Sequence, residues 1–143
     1  MITTRPAEKA DWPFWQSLDG HISRELFLRK AAAGECLVAQ VDGAPAGLLR
    51  WNLFWDSVPF CTLLYVQRAR RGEGVGRALM AAWEADMRAA GHGMVMTSTQ
   101  VDEDAQHFYR KLGYADAGGF TVTVPGYAQP LELILLKDIR GSA

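Results

Sequence analysis

The feature that most constrains this sequence is a glycine-rich run at residues 66–80, VQRARRGEGVGRALM. Gly72, Gly74 and Gly76 lie between an apolar stretch, FCTLLYV, and a segment whose apolar residues have helical spacing. Glycine allows backbone torsions that other residues avoid and a close approach to a ligand. A glycine loop that leads into a helix also presents free N–H groups, which bind phosphate. The run therefore predicts either an anion-binding loop or a plain turn.

Two common phosphate-binding motifs do not fit this run. A P-loop has Lys-Ser/Thr after its last glycine, whereas Arg77 stands there in this chain. A dinucleotide fingerprint is spaced G-x-G-x-x-G and has an acidic residue about 20 positions further on. Here the spacing is G-x-G-x-G, and GHGMVM occupies the later region. A nucleotide-dependent oxidoreductase is therefore only a third choice for the function.

Length and composition favour one soluble domain. The chain has 143 residues, of which 49% are apolar and 22% charged, and we expect a single domain over residues 1–143. Its net charge of −1 gives no support for nucleic-acid partners or for attraction to an acidic membrane. No stretch is long enough to span a bilayer, and MITTRPAEKADW at the N-terminus does not resemble a signal peptide. A cytoplasmic location is predicted.

The cysteine and histidine content gives little support for a redox or metal site. Cys36 and Cys61 each lie in an apolar segment, so we expect buried, reduced thiols, with a redox pair as the alternative. No metal is predicted, because three histidines lack the spacing of metal ligands: His21, His92 and His107.

Apolar periodicity and turn residues predict seven strands and four helices in a mixed α/β order. The predicted order along the chain is β-α-α-β-β-β-α-β-α-β-β, around a mixed, largely antiparallel sheet. Asp42-Gly43 predicts a hairpin, since both central residues of a type I′ turn have positive φ. The segment FCTLLYV at 60–66 is apolar throughout and is expected near the centre of the sheet. The last two strands are expected at FTVTV and LELILLK.

Two helices are expected after the glycine run. The first, at about residues 75–90, has an apolar face and a charged face. The apolar face is predicted to hold Val75, Ala78, Leu79, Ala82 and Trp83, and the charged face Arg77, Glu84 and Arg88. The second helix lies in DEDAQHFYRKLG, with Asp102 as its predicted N-cap and Gly113 at its end.

The glycine run and this second helix together resemble the GNAT superfamily of N-acetyltransferases. Residues 71–76 match Arg/Gln-x-x-Gly-x-Gly, the family's acyl-CoA pyrophosphate loop. Residues 102–114 match its second motif, Asn-x-x-Ala-x-x-Phe/Leu-Tyr-x-x-x-Gly-Phe, with Asp102 in place of asparagine. The resemblance implies a sheet splayed at a cofactor notch. It also implies direct acetyl transfer from acetyl-CoA to a primary amine of a small molecule or peptide, in a ternary complex.

The resemblance also implies which residues bind the acyl donor. The pantetheine arm would pair with the backbone of the apolar strand, and the loop amides would wrap the pyrophosphate. Arg71 and Arg77 flank the loop and are expected to contact phosphate. The predicted donor-binding residues are Leu64, Tyr65, Val66, Arg71, Gly72, Glu73, Gly74, Val75, Gly76, Arg77 and Asp102.

Tyr109 is the predicted catalytic residue. Helical spacing alone favours a core position for this side chain. The resemblance places it as the general acid that protonates the departing thiolate, and it places the backbone N–H near Val66 at the thioester oxygen. The base that deprotonates the amine is not identified. It is either water or one of three side chains: His21, Asp56 and Glu132.

The acceptor side of the site has weaker signals. Trp51 and Trp55 are four apart in a predicted strand and are expected on one face, with Phe54 on the other. They predict either sheet packing or an aromatic wall, for the acceptor or for a homodimer surface. The candidate acceptor residues are Trp51, Trp55, Asp56, Tyr127 and Glu132. A non-catalytic acyl-CoA-binding or interaction protein remains the alternative function.

Overall fold

The computed structural model describes residues 1–141. Within them it has seven strands and four α-helices in the predicted order, so the mixed α/β prediction is confirmed. The strands are β1 (Ile2–Pro6), β2 (Cys36–Val41), β3 (Ala44–Phe54), β4 (Val58–Val66), β5 (Met94–Gln100), β6 (Ala115–Val122) and β7 (Gln129–Asp138). The helices are α1 (Trp12–Leu18), α2 (Arg24–Ala32), α3 (Val75–Ala89) and α4 (Ala105–Lys111).

The strands form one sheet in the order β1-β2-β3-β4-β5-β7-β6. The pairs β1–β2, β2–β3, β5–β7 and β6–β7 are antiparallel, and β4–β5 is parallel. The prediction of a mixed, largely antiparallel sheet with FCTLLYV near its centre is therefore confirmed. The Asp42-Gly43 turn between β2 and β3 has φ values of 49° and 85°, as a type I′ turn requires.

The parallel pairing of β4 with β5 is short. Its register joins Phe60 to Met96 and Cys61 to Thr97. Beyond that point β4 runs on to Val66 and β5 to Gln100. The residue pair Cys61–Thr97 therefore marks the end of the parallel register.

The described chain divides into two compact units. The first comprises Met1–Asn52 and Thr62–Asp86, and the second comprises Leu53–Cys61 and the chain from Met87 onward. The glycine run lies in the first unit, and Tyr109 lies in the second.

In the first unit, helices pack on both faces of β3. Alternate residues of a strand point to opposite sides, so neighbouring residues of β3 contact different helices. Leu48 belongs to an apolar cluster with Trp15 and Phe27, from α1 and α2, whose rings lie 5.0 Å apart. Its neighbour Gly47 faces α3. A Cβ added there would come within 2.9 Å of Cγ1 of Val75, so only glycine lets α3 pack this closely.

A buried ion pair joins the end of α1 to β3. The Asp19 side chain is fully buried and accepts a hydrogen bond from Arg50 Nε at 2.7 Å. Trp15 Nε1 donates to the same carboxylate oxygen at 3.1 Å. The carboxylate is therefore both paired and hydrogen-bonded, as a buried charge requires.

The buried face of α3 differs from the prediction at Glu84. This side chain is only 6% exposed, whereas the prediction placed it on the charged face. Met80 and Met87 are also buried, so the buried face of α3 extends toward Glu84. Asp86, two residues further on, is exposed.

In the second unit, the antiparallel pairing of β5 with β7 extends from Met94, opposite Asp138, to Gln100, opposite Glu132. The edge strand β6 begins at Ala115, five residues before the predicted FTVTV segment. Glycine is depleted in strands, so a sequence pattern that contains Gly118 and Gly119 does not indicate that β6 has already begun. Gly118 has a φ of +122° and lies at a register shift, where glycine is favoured.

Two local predictions were wrong. Asp102 is not the N-cap of α4, because the helix begins at Ala105 with Asp104 in that position. Trp51 and Trp55 do not share a strand face, because β3 ends at Phe54. Trp55 and Asp56 turn the chain instead, with φ values of 57° and 56°.

Both cysteines are buried thiols outside any disulfide bond, as predicted. Burial raises the pKa of the Cys36 thiol to about 12. No helix between residues 1 and 141 is both long and apolar enough to cross a membrane.

Candidate functional site

The glycine run forms a loop that connects β4 to α3. Gly72 and Gly74 have φ values of +82° and +92°, in the left-handed region that favours glycine. A Cβ added at Gly72 would meet nothing within 4 Å, so glycine is required there for its torsion rather than for space. The N–H of Ala78 donates to the carbonyl of Gly74 at 3.0 Å, which closes the first turn of α3.

The first turn of α3 presents donors that are suited to an anion. The N–H groups at the start of a helix have no partner within the helix, and the helix dipole adds partial positive charge there. In α3 these are the N–H groups of Val75, Gly76 and Arg77. The helix is 15 residues long, and its first turn contains no acidic residue.

The arginines of the run have different environments. Arg71 lies against the end of β4: its Nε donates to the carbonyl of Val66 at 3.2 Å, and its guanidinium lies 5.2 Å from the centre of the Tyr65 ring. Arg70 pairs with Glu73 at 3.5 Å, and both side chains are about 40% exposed, so this pair adds little stability. Arg77 is exposed.

Tyr109 is buried in α4 and is only 6% exposed. Its ring makes edge contacts with Phe108 and Tyr114, at centre distances of 5.3 and 5.7 Å. Burial raises the pKa of Tyr109 well above its ordinary value, and the nearby Thr97 side chain acts in the opposite direction. Tyr109 is therefore protonated throughout the neutral range.

Thr97 connects β5 to β4. Its Oγ1 donates to the carbonyl oxygen of Cys61 at 3.1 Å, and the residue is 1% exposed. Thr97 therefore lies where the parallel register of β4 and β5 ends. Sequence reasoning missed Thr97, because it belongs to no motif and only the register of β4 with β5 brings it to this position.

The predicted acceptor residues have separate environments. Trp51 packs near Trp83, with ring centres 6.5 Å apart. Trp55 is 77% exposed and lies beside Phe54 at the hairpin turn, and Tyr127 is 74% exposed. Glu132 accepts a hydrogen bond from Gln129 at 2.9 Å. Trp55, Asp56, Tyr127 and Glu132 lie in the second unit with Tyr109, whereas Trp51 lies in the first.

A family model described as the acetyltransferase (GNAT) family matches residues 4–114. The chain therefore belongs to the GNAT acetyltransferase family. A search of curated proteins gave no significant match.

Many solved structures share this fold. Ard1 from Thermoplasma volcanium is 22% identical, with a TM-score of 0.80 and coverage of 96% of this chain and 97% of that one. A putative acetyltransferase from Salmonella typhimurium, solved with its cofactor acetyl-CoA, is 17% identical, with a TM-score of 0.80 and coverage of 100% and 96%. Naa50 from Arabidopsis thaliana, in complex with the bisubstrate analogue CoA-Ac-MVNAL, is 15% identical, with a TM-score of 0.76 and coverage of 96% and 98%. These likenesses establish the GNAT fold.

Proposed function

We propose that this chain is a cytoplasmic N-acetyltransferase that acts as one domain over residues 1–143. It transfers the acetyl group of acetyl-CoA to a primary amine of a small molecule or peptide. One observation carries the proposal: Gly72 and Gly74, both with positive φ, lead directly into the first turn of α3. The choice of donor is supported by two similar structures, which were solved with acetyl-CoA and with a CoA-containing analogue.

The loop residues fit the pyrophosphate of an acyl-CoA. The amides of residues 71–76 and the positive end of α3 supply donors for its oxygens. Arg71 and Arg77 add positive charge, while Glu73 contributes only its N–H because its carboxylate pairs with Arg70. The backbone of Leu64, Tyr65 and Val66 would pair with the pantetheine arm. Asp102 is assigned to donor binding on its motif position alone.

Acetyl-CoA supplies a thioester, whose carbonyl carbon is attacked by the amine so that a C–N bond forms and the C–S bond breaks. Tyr109 gives its proton to the departing sulfur and regains one from solvent. The N–H of Val66 donates to the thioester oxygen. The amine loses its proton to water or to a carboxylate, because an ammonium group is not a nucleophile.

The environment of Tyr109 suits a proton donor. The residue is buried, and its raised pKa keeps the hydroxyl protonated at neutral pH. A protonated hydroxyl can give its hydrogen to a strong base such as a newly formed thiolate. The acceptor amine is assigned by class only, with Trp51, Trp55, Asp56, Tyr127 and Glu132 as candidate contacts.

A matched pair of glycine variants tests donor binding. Gly72 and Gly34 both have positive φ, at 82° and 76°, and an added Cβ would meet nothing within 4 Å at either position. Alanine should therefore cost similar stability at both, about 1 kcal/mol. We expect Gly72→Ala to weaken acetyl-CoA binding at least tenfold in calorimetric titration, on the order of one lost charge-assisted hydrogen bond. Gly34→Ala should bind as the wild type does, and equal affinities for the two variants would contradict the assignment.

A further inference from the structure

Arg71 is attached at two points to the end of β4. Its Nε donates to the Val66 carbonyl at 3.2 Å, and its guanidinium lies 5.2 Å from the centre of the Tyr65 ring. Tyr65 and Val66 are the last two residues of the strand, and Arg71 directly precedes the first glycine of the loop. One side chain therefore joins the end of the strand to the glycine loop.

The direction of the Val66 carbonyl shows on which edge of β4 this contact lies. The N–H of Gln67 donates to the carbonyl of Ala46 in β3 at 2.8 Å. The Val66 carbonyl belongs to the same peptide group as that N–H, and this peptide bond is trans. The two groups of a trans peptide point in opposite directions. The Val66 carbonyl and Arg71 Nε therefore meet on the edge of β4 that faces away from β3.

The hydrogen bond to Val66 uses only one of the five N–H groups of the guanidinium. The other four are on its two terminal nitrogens, which form the fork that binds phosphate in a bidentate manner. Tyr65 contributes the face of its ring, whose negative potential attracts the cation. The ring is 37% exposed, so this contact lies at the surface of the protein.

We propose that the Tyr65 side chain is a positioning residue for Arg71 in phosphate binding to the acyl-CoA donor, an inference that rests on the proposed function. An exposed arginine loses rotamer freedom when it binds a ligand. The Tyr65 ring and the Val66 carbonyl hold the guanidinium before the donor arrives, so less freedom is lost on binding. Removal of the ring should therefore weaken donor binding, and it should do so through Arg71.

The chain offers closely matched variants for a test. Tyr65→Leu removes the aromatic face, whereas Tyr65→Phe keeps the ring and removes only the hydroxyl. Arg71→Gln removes the positive charge. Phe120→Leu controls for the loss of an exposed aromatic side chain, because Phe120 is 51% exposed and lies in the other unit. Thermal unfolding of each variant identifies any that do not fold.

A spectroscopic arm tests the contact without any ligand. The Nε–H group of Arg71 gives a signal in ¹H–¹⁵N spectra of labelled protein, and Arg71→Gln identifies that signal by its absence. The aromatic ring of Tyr65 shifts the resonances of groups that lie over its face. We expect Tyr65→Leu to move the Arg71 signal, and Tyr65→Phe and Phe120→Leu to leave it near its wild-type position. An unmoved signal in folded Tyr65→Leu would overturn the proposal.

A calorimetric arm measures the affinity of each variant for CoA. We expect Tyr65→Leu to weaken CoA binding about threefold, the size of one exposed contact between a cation and a ring. Arg71→Gln should weaken it about tenfold or more, as the loss of a charge-assisted hydrogen bond does. Tyr65→Phe and Phe120→Leu should bind as the wild type does. In the Arg71→Gln background, Tyr65→Leu should cost no further affinity, because the group that it positions is already gone.

The outcomes separate the two proposals. If Tyr65→Leu weakens CoA binding by the same factor with and without the Arg71 side chain, or does not weaken it, the positioning proposal fails and the proposed function stands. If Tyr65→Phe loses as much affinity as Tyr65→Leu, the hydroxyl rather than the ring is responsible, and the positioning proposal again fails alone. If the folded wild-type protein does not bind CoA, the proposed function fails, and the positioning role of Tyr65 fails with it.

Discussion

Gly47 of β3 lies directly against Val75, the first residue of α3. A Cβ on Gly47 would come within 2.9 Å of Val75 Cγ1 and 3.2 Å of the Tyr65 carbonyl oxygen, and the second of these is backbone that cannot rotate away. The position of the α3 first turn therefore depends on a missing side chain in a neighbouring strand. The glycine loop before α3 is positioned by this close packing as well as by its own glycines.

Gly47→Ala should impair both stability and donor binding. Overpacking at this contact should cost about 1–3 kcal/mol of unfolding free energy and should displace the start of α3. Denaturant unfolding and acetyl-CoA titration measure the two effects. Gly20→Ala is the control, because a Cβ at Gly20 would meet nothing within 4 Å. If both variants had the same unfolding free energy and the same affinity for acetyl-CoA, the close approach at Gly47 would not position the start of α3.

Asp19→Ala should strongly destabilise the protein. The carboxylate is fully buried and holds Arg50 at 2.7 Å, and removal of one partner of a buried ion pair costs about 3–5 kcal/mol. Denaturant unfolding measures the loss. The control is Asp116→Ala, which breaks an exposed pair with Arg110 of 2.9 Å and should change stability little. A small effect at Asp19 would mean that the Arg50 charge finds another partner or water.

The Arg5–Asp11 pair should make stability depend on pH in the acid range. The hydrogen bonds from Arg5 hold the pKa of Asp11 below its usual range. Because the folded pKa is lowered, this stabilisation is fully present above the unfolded pKa of about 3.9 and is lost as the pH falls through the folded value. Urea unfolding near neutral pH and at about pH 3 gives the free energy of unfolding at each pH. The difference between the two values should be smaller for Asp11→Asn than for the wild type. An identical difference would exclude this contribution.

Tyr109→Phe should lower kcat by about 10²–10⁴ while the protein still binds acetyl-CoA. Because burial raises the pKa of Tyr109, the rate should not fall near pH 10 through deprotonation of this residue. Steady-state kinetics across the alkaline range test both points. Tyr114→Phe is the matched control, since it also removes a hydroxyl from a buried ring in the same unit and should keep its activity.

The parts of the fold that were predicted correctly depend on local sequence. Positive φ at a glycine and the start of a helix are encoded within a few residues, so the loop before α3 could be predicted from the run itself. The order of strands and helices was predictable for the same reason, because each element has its own periodicity.

The residues that were missed depend on long-range packing. Thr97 meets Cys61 through the register of β5 with β4, which no local pattern specifies. Glu84 is buried because Met80 and Met87 broaden the buried face of α3, and the sequence pattern placed that face differently. Trp55 leaves the strand because a turn with two positive φ values forms without glycine, which is uncommon.

The most direct test of the proposed function is an acetylation assay with a panel of amines, from small primary amines to peptides with free N-termini. The protein is incubated with acetyl-CoA and each amine, and free CoA and the acetylated amine are measured together. We predict that CoA release and amine acetylation rise in equal amounts for at least one amine, and that Tyr109→Phe slows both. Tight acetyl-CoA binding without acetylation of any amine would contradict the account and would favour a non-catalytic acyl-CoA-binding protein.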